Sequence, residues 1–265
     1  MKYFAFQGIK VYGTIITEHS DGQQLCDKIF ENLEVFAEKL HEISEAYGFE
    51  GWLLNIENEI QESQIALVKK LIGLLNTDNS KLIFYDSIVN NGKLAWQNEL
   101  NSKNVDYFIA SDGIFLNYWW TNDHLKRTLD FCENVHRKVS DVYASIDCFA
   151  RGPCEGEFNC HTAVSRINTT DTNFSIAVFA PGWLFENYFP QNQIAESSKY
   201  EKCLEFWQQF TNQPLLDDIS QRKVKSLYEC QKLITIKILK LSIIQNQLIF
   251  QNVRWNHQTC HIHES

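Results

Sequence analysis

A regular alternation of short apolar segments with segments of helical periodicity is the feature that most constrains the fold. Six segments rich in β-branched and aromatic residues begin at intervals of roughly 30–40 residues, the length of one strand–helix unit. They are residues 9–17, 51–56, 81–87, 113–119, 141–148 and 174–181. Because apolar side chains fill them almost throughout, each is predicted to be a strand buried on both faces of a parallel sheet.

The intervening segments carry apolar residues at the 3.6-residue spacing of a helix. One series spans residues 25–43, a second spans 65–75, and a third spans 125–135 behind a predicted N-cap at Asn122. Six strand–helix units in series favour an α/β fold of the (β/α)8 TIM-type barrel class over a doubly wound sheet. No glycine-rich phosphate loop follows any predicted strand, which further disfavours a dinucleotide-binding fold.

The net charge and the opening segment of the chain exclude several classes of protein. The formal net charge is −9, whereas nucleic-acid and membrane-surface partners require clustered positive charge. No apolar run reaches the ~18–20 residues of a membrane span, and no secretory signal opens the sequence. We therefore expect a cytoplasmic (cytosolic) protein whose 8 cysteines are free thiols.

Polar and aromatic residues accumulate at the carboxyl end of every predicted strand, where barrel enzymes build their active sites. A single such end is usually the start of a solvated loop, but six in register indicate a ligand site. Aromatic faces combined with hydrogen-bonding groups favour a carbohydrate ligand. The candidate binding residues are Tyr85, Trp96, Asn117, Trp119, Trp120, Asp147 and Trp183.

Asn55 and Glu57 are the candidate catalytic pair, because residues two apart in a strand share one face. Glu57 is suited to protonate a glycosidic oxygen. The usual mechanism needs a second carboxylate; Asp86 and Asp112 are not clearly placed for this role, whereas Asp147 is a possible one. In the alternative mechanism the substrate supplies its own nucleophile. The oxygen of a 2-acetamido group attacks the anomeric carbon to form an oxazoline, and the Asn55 amide orients that group.

Five motifs, in order along roughly residues 8–187, resemble those of glycoside hydrolase family 85. They are Gly51-Trp-Leu-Leu-Asn-Ile-Glu57, Tyr85-Asp-Ser with the following Trp96-Gln-Asn98-Glu-Leu, Asp112-Gly-Ile-Phe-Leu-Asn-Tyr-Trp-Trp120, Ile146-Asp-Cys-Phe-Ala-Arg-Gly152 and Phe179-Ala-Pro-Gly-Trp183. The resemblance implies a mannosyl-glycoprotein endo-β-N-acetylglucosaminidase that needs no cofactor and no metal. Its expected substrates are N-glycans, on glycoproteins or as free oligosaccharides, cleaved between the two core N-acetylglucosamines.

The resemblance also implies a role for individual residues. The family residue matching Asn55 promotes oxazoline formation, and the residue matching Glu57 is the general acid/base. Residues matching Tyr85, Trp96 and the pair Trp119 and Trp120 line the glycan site in the family.

The resemblance further implies that the barrel is incomplete in this chain. The family's first strand would precede Met1, so residues 9–17 are expected to be the second strand, with the eighth missing or replaced. We expect a partial catalytic barrel over residues 1–190, a helical continuation over 191–218, and a divergent basic and apolar segment over 219–265. The alternative function is a catalytically inactive remnant that at most binds glycan.

Residues 233–250 within the last segment are apolar and β-prone, although lysines interrupt them. Three interpretations are open for them: a replacement for a missing strand, a helix, or an aggregation-prone tail. The composition favours the tail. Further on, His257, Cys260, His261 and His263 are zinc-ligand types. Histidines clustered near a chain end without a structured partner are more often incidental, so no metal is predicted there.

Overall fold

A parallel sheet forms the centre of the molecule. The computed structural model describes residues 11–171, 173–208, 235–244 and 247–252. Six strands follow each other along the chain, and each pairs in parallel with the next. They are β1 (Val11–Glu18), β2 (Gly51–Glu57), β3 (Lys81–Tyr85), β4 (Gly113–Leu116), β5 (Val142–Asp147) and β6 (Ser175–Phe179). Their nearly continuous burial accounts for their apolar composition and confirms the predicted α/β class.

Helices connect successive strands and cover one face of the sheet. They are α1 (His19–Glu31), α2 (Leu33–Tyr47), α3 (Ile65–Leu75), α4 (Val105–Ala110), α5 (Asn122–Asn134) and α6 (Cys160–Thr170), with α7 (Phe189–Gln191) and α8 (Glu196–Gln208) after β6. Short 3-10 turns occupy Glu62–Gln64, Val139–Asp141 and Glu157–Asn159, and a π-helical turn spans Leu184–Tyr188. Within the described ranges, no helix is long and apolar enough to cross a membrane.

Two details of the predicted helices were wrong. The series over residues 25–43 is two helices, because Asn32 leaves the helical conformation (φ −135°, ψ 49°) between α1 and α2. The apolar spacing continues across the break since both helices pack into one core cluster. The N-cap of α5 is Thr121 rather than Asn122, because the Thr121 hydroxyl accepts a hydrogen bond from the backbone N–H of His124 (3.4 Å).

The two faces of the sheet have different roles. Alternate residues such as Ile15, Leu54 and Phe84 pack with the helices in a large outer core. The opposite face, which we call the inner face, holds a smaller cluster that runs across the strands: Tyr12, Leu53, Ile83, Tyr85, Phe115, Tyr143 and Ala177. Because strand residues alternate, the inner face continues toward the strand ends through polar positions.

Two further strands extend the sheet beyond β1. The strand β7 (Thr235–Ile244) pairs in parallel with β1, and β8 (Gln247–Asn252) returns antiparallel to β7. The sheet order is β6-β5-β4-β3-β2-β1-β7-β8, so over the described residues the sheet is open. Residues 235–244 and 247–252 therefore adopt the strand alternative, while the interpretation of residues 219–265 as a divergent tail stays a prediction. The cysteine and histidine residues at 257–263 lie outside the described residues.

Candidate active site

Polar side chains replace apolar ones on the inner face at the carboxyl ends of β1, β2, β4 and β5. Asn55 and Glu57 end β2, and Glu18 ends β1 in register with Glu57. Asn117 follows β4 directly, and Asp147 ends β5. We call this edge the carboxyl edge. Asn55, Glu57, Asn117 and Asp147 are among the strand-end residues that the sequence predicts to lie together.

Asn55 and Glu57 form the centre of this edge. Asn55 is only 8% exposed, and its Oδ1 atom is buried without a hydrogen-bond partner. Glu57 is partly buried. Burial raises the pKa of the Glu57 carboxyl, and the neighbouring charge of Glu18 raises that pKa further, whereas a hydrogen bond with the Asn55 side chain and the nearby His19 lower it. The net direction is upward, which favours a carboxyl group that holds its proton.

Tyr85 and Asn117 lie beside this pair and are joined to each other. The Tyr85 hydroxyl donates a hydrogen bond to Asn117 Oδ1 (2.9 Å), and both side chains are buried. Asn117 Nδ2 in turn donates to Asn98 Oδ1 (2.8 Å). Burial first, and then the charges of Glu57 and Asp86, raise the pKa of Tyr85 well above its ordinary value. The phenol therefore stays protonated and acts as a hydrogen-bond donor.

Asp147 reaches the carboxyl edge, but its carboxylate is fully engaged by the loop that follows it. Arg151 donates to it through Nε (2.9 Å), through a terminal guanidinium nitrogen (2.8 Å) and through its backbone N–H (2.9 Å). The backbone N–H of Phe149 adds a fourth bond (3.2 Å). Four donors occupy the acceptor capacity of a carboxylate. These bonds disfavour direct binding of substrate by Asp147, which stays a prediction; in the structure Asp147 anchors Arg151.

The Arg151 guanidinium lies against aromatic rings at the same edge. Its central carbon is 4.9 Å from the Phe149 ring centre, 5.3 Å from that of Tyr118 and 5.4 Å from that of Phe179. This arrangement combines an ion pair with cation–π contacts, so it fixes one wall of the edge.

The four candidate tryptophans divide into two exposed and two buried ones. Trp96 is 43% exposed and Trp119 is 53% exposed, so each offers a ring face to a ligand. Trp120 has no exposed surface, and its indole N–H donates to the backbone carbonyl of Ser145 (2.7 Å). Trp183 packs edge-on against Phe158 with ring centres 5.7 Å apart in the outer core. Core packing takes up the rings of Trp120 and Trp183, which disfavours the prediction that they bind substrate.

Sequence reasoning missed three residues of this site. Glu18 ends a predicted strand, but its position beside Glu57 depends on the register between β1 and β2. Arg151 follows Asp147 by four residues, a spacing that could have suggested an ion pair. Asn98 lies in the loop between β3 and α4, where strand alternation gives no information.

A sheet that carries a partly buried carboxyl group, a buried amide and exposed tryptophans at its carboxyl edge has the architecture of a barrel-type glycoside hydrolase. The chain belongs to glycosyl hydrolase family 85, whose family model matches residues 3–259. The predicted family resemblance is thereby confirmed, and the matched range includes β7 and β8.

Known proteins similar to this chain come from animals, plants and bacteria. The chain is 35% identical over 209 residues to the cytosolic endo-beta-N-acetylglucosaminidase of Gallus gallus, covering 75% of this chain and 28% of that protein. It is 36% identical over 208 residues to cytosolic endo-beta-N-acetylglucosaminidase 2 of Arabidopsis thaliana, covering 75% and 29%. The chain thus spans under a third of the length of these two relatives.

A solved structure supports the fold. The crystal structure of the glycoside hydrolase domain of Endo-D from Streptococcus pneumoniae R6 superposes with a TM-score of 0.58 at 17% identity, over 74% of this chain and 33% of that one. At this identity the likeness concerns the fold alone, and it agrees with the predicted barrel type.

Proposed function

We propose that this chain hydrolyses the β1,4 bond between the two core N-acetylglucosamines of N-glycans by substrate-assisted catalysis. Membership of family 85 and the names of the relatives support the reaction class. The observation that carries the mechanism is the unpaired, buried Oδ1 atom of Asn55, two residues before Glu57 on the inner face. A buried acceptor without a partner costs free energy unless a ligand supplies a donor.

In the first step of this mechanism the substrate provides the nucleophile. The carbonyl oxygen of its 2-acetamido group bonds to the anomeric carbon, while Glu57 donates its proton to the glycosidic oxygen and the carbon–oxygen bond to the second sugar breaks. The acetamide N–H becomes more acidic as positive charge develops on the forming oxazoline. Asn55 Oδ1 accepts a hydrogen bond from that N–H and stabilises it most in the transition state.

In the second step water opens the oxazoline, which has kept its N–H as an oxazolinium ion hydrogen-bonded to Asn55 Oδ1. The Glu57 carboxylate takes a proton from the water as its oxygen bonds to the anomeric carbon, and the ring carbon–oxygen bond of the oxazoline breaks. The acetamido group is restored, and Glu57 regains its proton. The two displacements leave the anomeric configuration unchanged.

The availability of carboxylates favours this mechanism over a two-carboxylate one. Asp147 is engaged by four hydrogen bonds, so it is a poor nucleophile. The remaining carboxylate next to Glu57 is Glu18 on the adjacent strand. Strands lie ~4.8 Å apart, and carboxyl pairs in conventional retaining enzymes are separated by ~5–5.5 Å, so an experiment must distinguish Glu18 from the substrate as the nucleophile.

The test uses a fluorescent Man₃GlcNAc₂ glycopeptide and a preformed sugar oxazoline as donors. Asn55→Ala should abolish glycopeptide hydrolysis and still use the oxazoline, because the oxazoline bypasses the first step. Glu57→Gln should abolish hydrolysis of the glycopeptide. Hydrolysis by Asn55→Ala at the unmodified rate, or a covalent glycosyl adduct on Glu18, would refute substrate assistance. Glycan binding without any hydrolysis by the unmodified chain would favour the inactive binding protein instead.

We also propose a cytosolic location and a glycoprotein or free-oligosaccharide substrate. The relatives named above are cytosolic by name. Buried free thiols at Cys26, Cys132, Cys148 and Cys160 are compatible with a reducing compartment. Fractionation of cells that express the tagged chain tests the location, and recovery of the tag in a secretory compartment would contradict it.

A further inference from the structure

Asn98 connects the two segments that carry the exposed tryptophans. Its Oδ1 atom accepts a hydrogen bond from Asn117 Nδ2 (2.8 Å) and another from the backbone N–H of Trp119 (3.2 Å). Its Nδ2 atom donates a longer bond to the backbone carbonyl of Trp96 (3.5 Å). One side-chain amide thus contacts the main chain at both tryptophans and the side chain that holds the Tyr85 hydroxyl.

The main chain at Asn98 is itself held in place. Its φ angle is 59°, in the left-handed region that asparagine, aspartate and glycine tolerate best. Its N–H donates to Asp86 Oδ2 (2.7 Å), and Asp86 is 1% exposed. The same carboxylate accepts bonds from the N–H of Gln97 (3.1 Å) and from Asn104 Nδ2 (2.9 Å). A buried anchor therefore fixes the backbone from which the Asn98 amide projects.

We propose that Asn98 is a positioning residue, whose Oδ1 atom sets Trp96, Trp119 and the Tyr85–Asn117 pair in the arrangement that receives the glycan. The proposal rests on the proposed function, since it assigns Asn98 a part in binding that substrate. Two donors converge on one acceptor, so removing Oδ1 leaves Asn117 Nδ2 and the Trp119 N–H without that partner. Asn117 is then free to rotate away from the Tyr85 hydroxyl, and the segment of Trp119 loses its tie to the loop of Trp96.

Two substitutions separate the acceptor from the backbone conformation. Asn98→Gly keeps the left-handed conformation and removes Oδ1, whereas Asn98→Asp keeps both an oxygen acceptor and tolerance of positive φ. For Asn98→Gly we expect KM for the glycopeptide to rise about tenfold, the equivalent of one or two lost hydrogen bonds, with kcat changed much less. For Asn98→Asp we expect both constants to stay within about threefold of the unmodified values.

A second readout does not require activity. The backbone N–H of Trp119 should exchange with solvent deuterium faster in Asn98→Gly than in the unmodified chain. In Asn98→Asp it should exchange at nearly the original rate. The midpoint of thermal unfolding checks that each variant is folded. If the unmodified chain neither binds nor cleaves the glycan, the proposed function fails, while the exchange rates still report whether Asn98 holds the Trp119 segment.

Three results would overturn the proposal. The first is an unchanged KM in Asn98→Gly, which would mean that the acceptor has no part in glycan binding. The second is an equal impairment in Asn98→Asp and Asn98→Gly, because an acceptor-based role requires rescue by aspartate. The third is an unchanged exchange rate of the Trp119 N–H in Asn98→Gly.

Discussion

The adjacent residues Trp119 and Trp120 should separate glycan binding from stability. Trp119 is 53% exposed at the carboxyl edge, whereas Trp120 has no exposed surface and donates its indole N–H to the Ser145 carbonyl (2.7 Å). Trp119→Ala should therefore weaken glycan binding and leave the free energy of unfolding within about 0.5 kcal/mol of its original value. Trp120→Phe should lower the free energy of unfolding and leave glycan binding unchanged.

The decrease in the free energy of unfolding of Trp120→Phe follows mainly from two losses, a hydrogen bond and packing volume. The indole hydrogen bond contributes a net ~1 kcal/mol. The smaller ring leaves a cavity of roughly 40 Å³, which at ~24 cal/mol per Å³ costs about 1 kcal/mol. The Arg166 guanidinium, 5.7 Å from the Trp120 ring, loses part of a further contact. We therefore expect the free energy of unfolding to fall by about 2 kcal/mol, or slightly more.

Urea unfolding followed by circular dichroism measures the free energy of unfolding. Titration with a non-hydrolysed Man₃GlcNAc₂ analogue measures the glycan affinity. For an unfolding slope of ~2 kcal/mol per M, Trp120→Phe should lower the urea midpoint by about 1 M, with glycan affinity unchanged under native conditions. Trp119→Ala should keep the midpoint and lose about tenfold in affinity. Equal loss of stability in both variants, or unchanged glycan affinity in Trp119→Ala, would refute the division into a core and a binding tryptophan.

Two further predictions concern the carboxyl groups of the edge. Because burial and the Glu18 charge raise the pKa of Glu57, hydrolysis should decline as pH rises through that raised value and the acid loses its proton. Glu18→Gln removes one of the raising charges, so the alkaline limb of the pH–kcat/KM profile should move to lower pH; an unmoved limb would contradict the role of Glu18. Arg151→Met leaves the buried Asp147 carboxylate without its cation and should lower the free energy of unfolding by about 3 kcal/mol in urea titrations. The double substitution with Asp147→Asn should recover part of this loss, and a lack of recovery would show that the Arg151 ring contacts dominate.

Strand composition and alternation were enough to predict the sheet and the position of the candidate catalytic pair within it. The apolar segments coincide with β1 to β6, and the two-residue spacing correctly put Asn55 and Glu57 on one face, since both lie inside β2. The assignment of catalytic roles to them stays a prediction. The same reasoning did not predict the burial of Trp120, because β4 ends at Leu116. Beyond that residue the chain is a loop, so alternation no longer determines which ring turns into the core.

Contacts between distant segments could not be predicted from local patterns. The pairing of β7 with β1 joins segments more than 200 residues apart, and composition alone did not distinguish a strand from a tail. The helix break at Asn32 was hidden because the apolar spacing continues in phase across it. Asn98 was missed for a similar reason, since its role depends on where two loops approach each other.

The two inward carboxyl groups at the ends of β2 and β5 have opposite environments. Asp147 is paired with a guanidinium and accepts two backbone N–H bonds, so donors from the protein occupy its carboxylate oxygens. Glu57 is partly buried; burial and the charge of Glu18 raise its pKa, whereas the hydrogen bond with the neutral Asn55 amide lowers it, and the net direction is upward. The oxygens of one carboxyl group are thus occupied by donors from the protein, whereas the pKa of the other is raised. In the proposed mechanism Glu57 supplies the proton and the unpaired Asn55 Oδ1 atom supplies the acceptor, which are the two groups that a substrate with its own nucleophile requires.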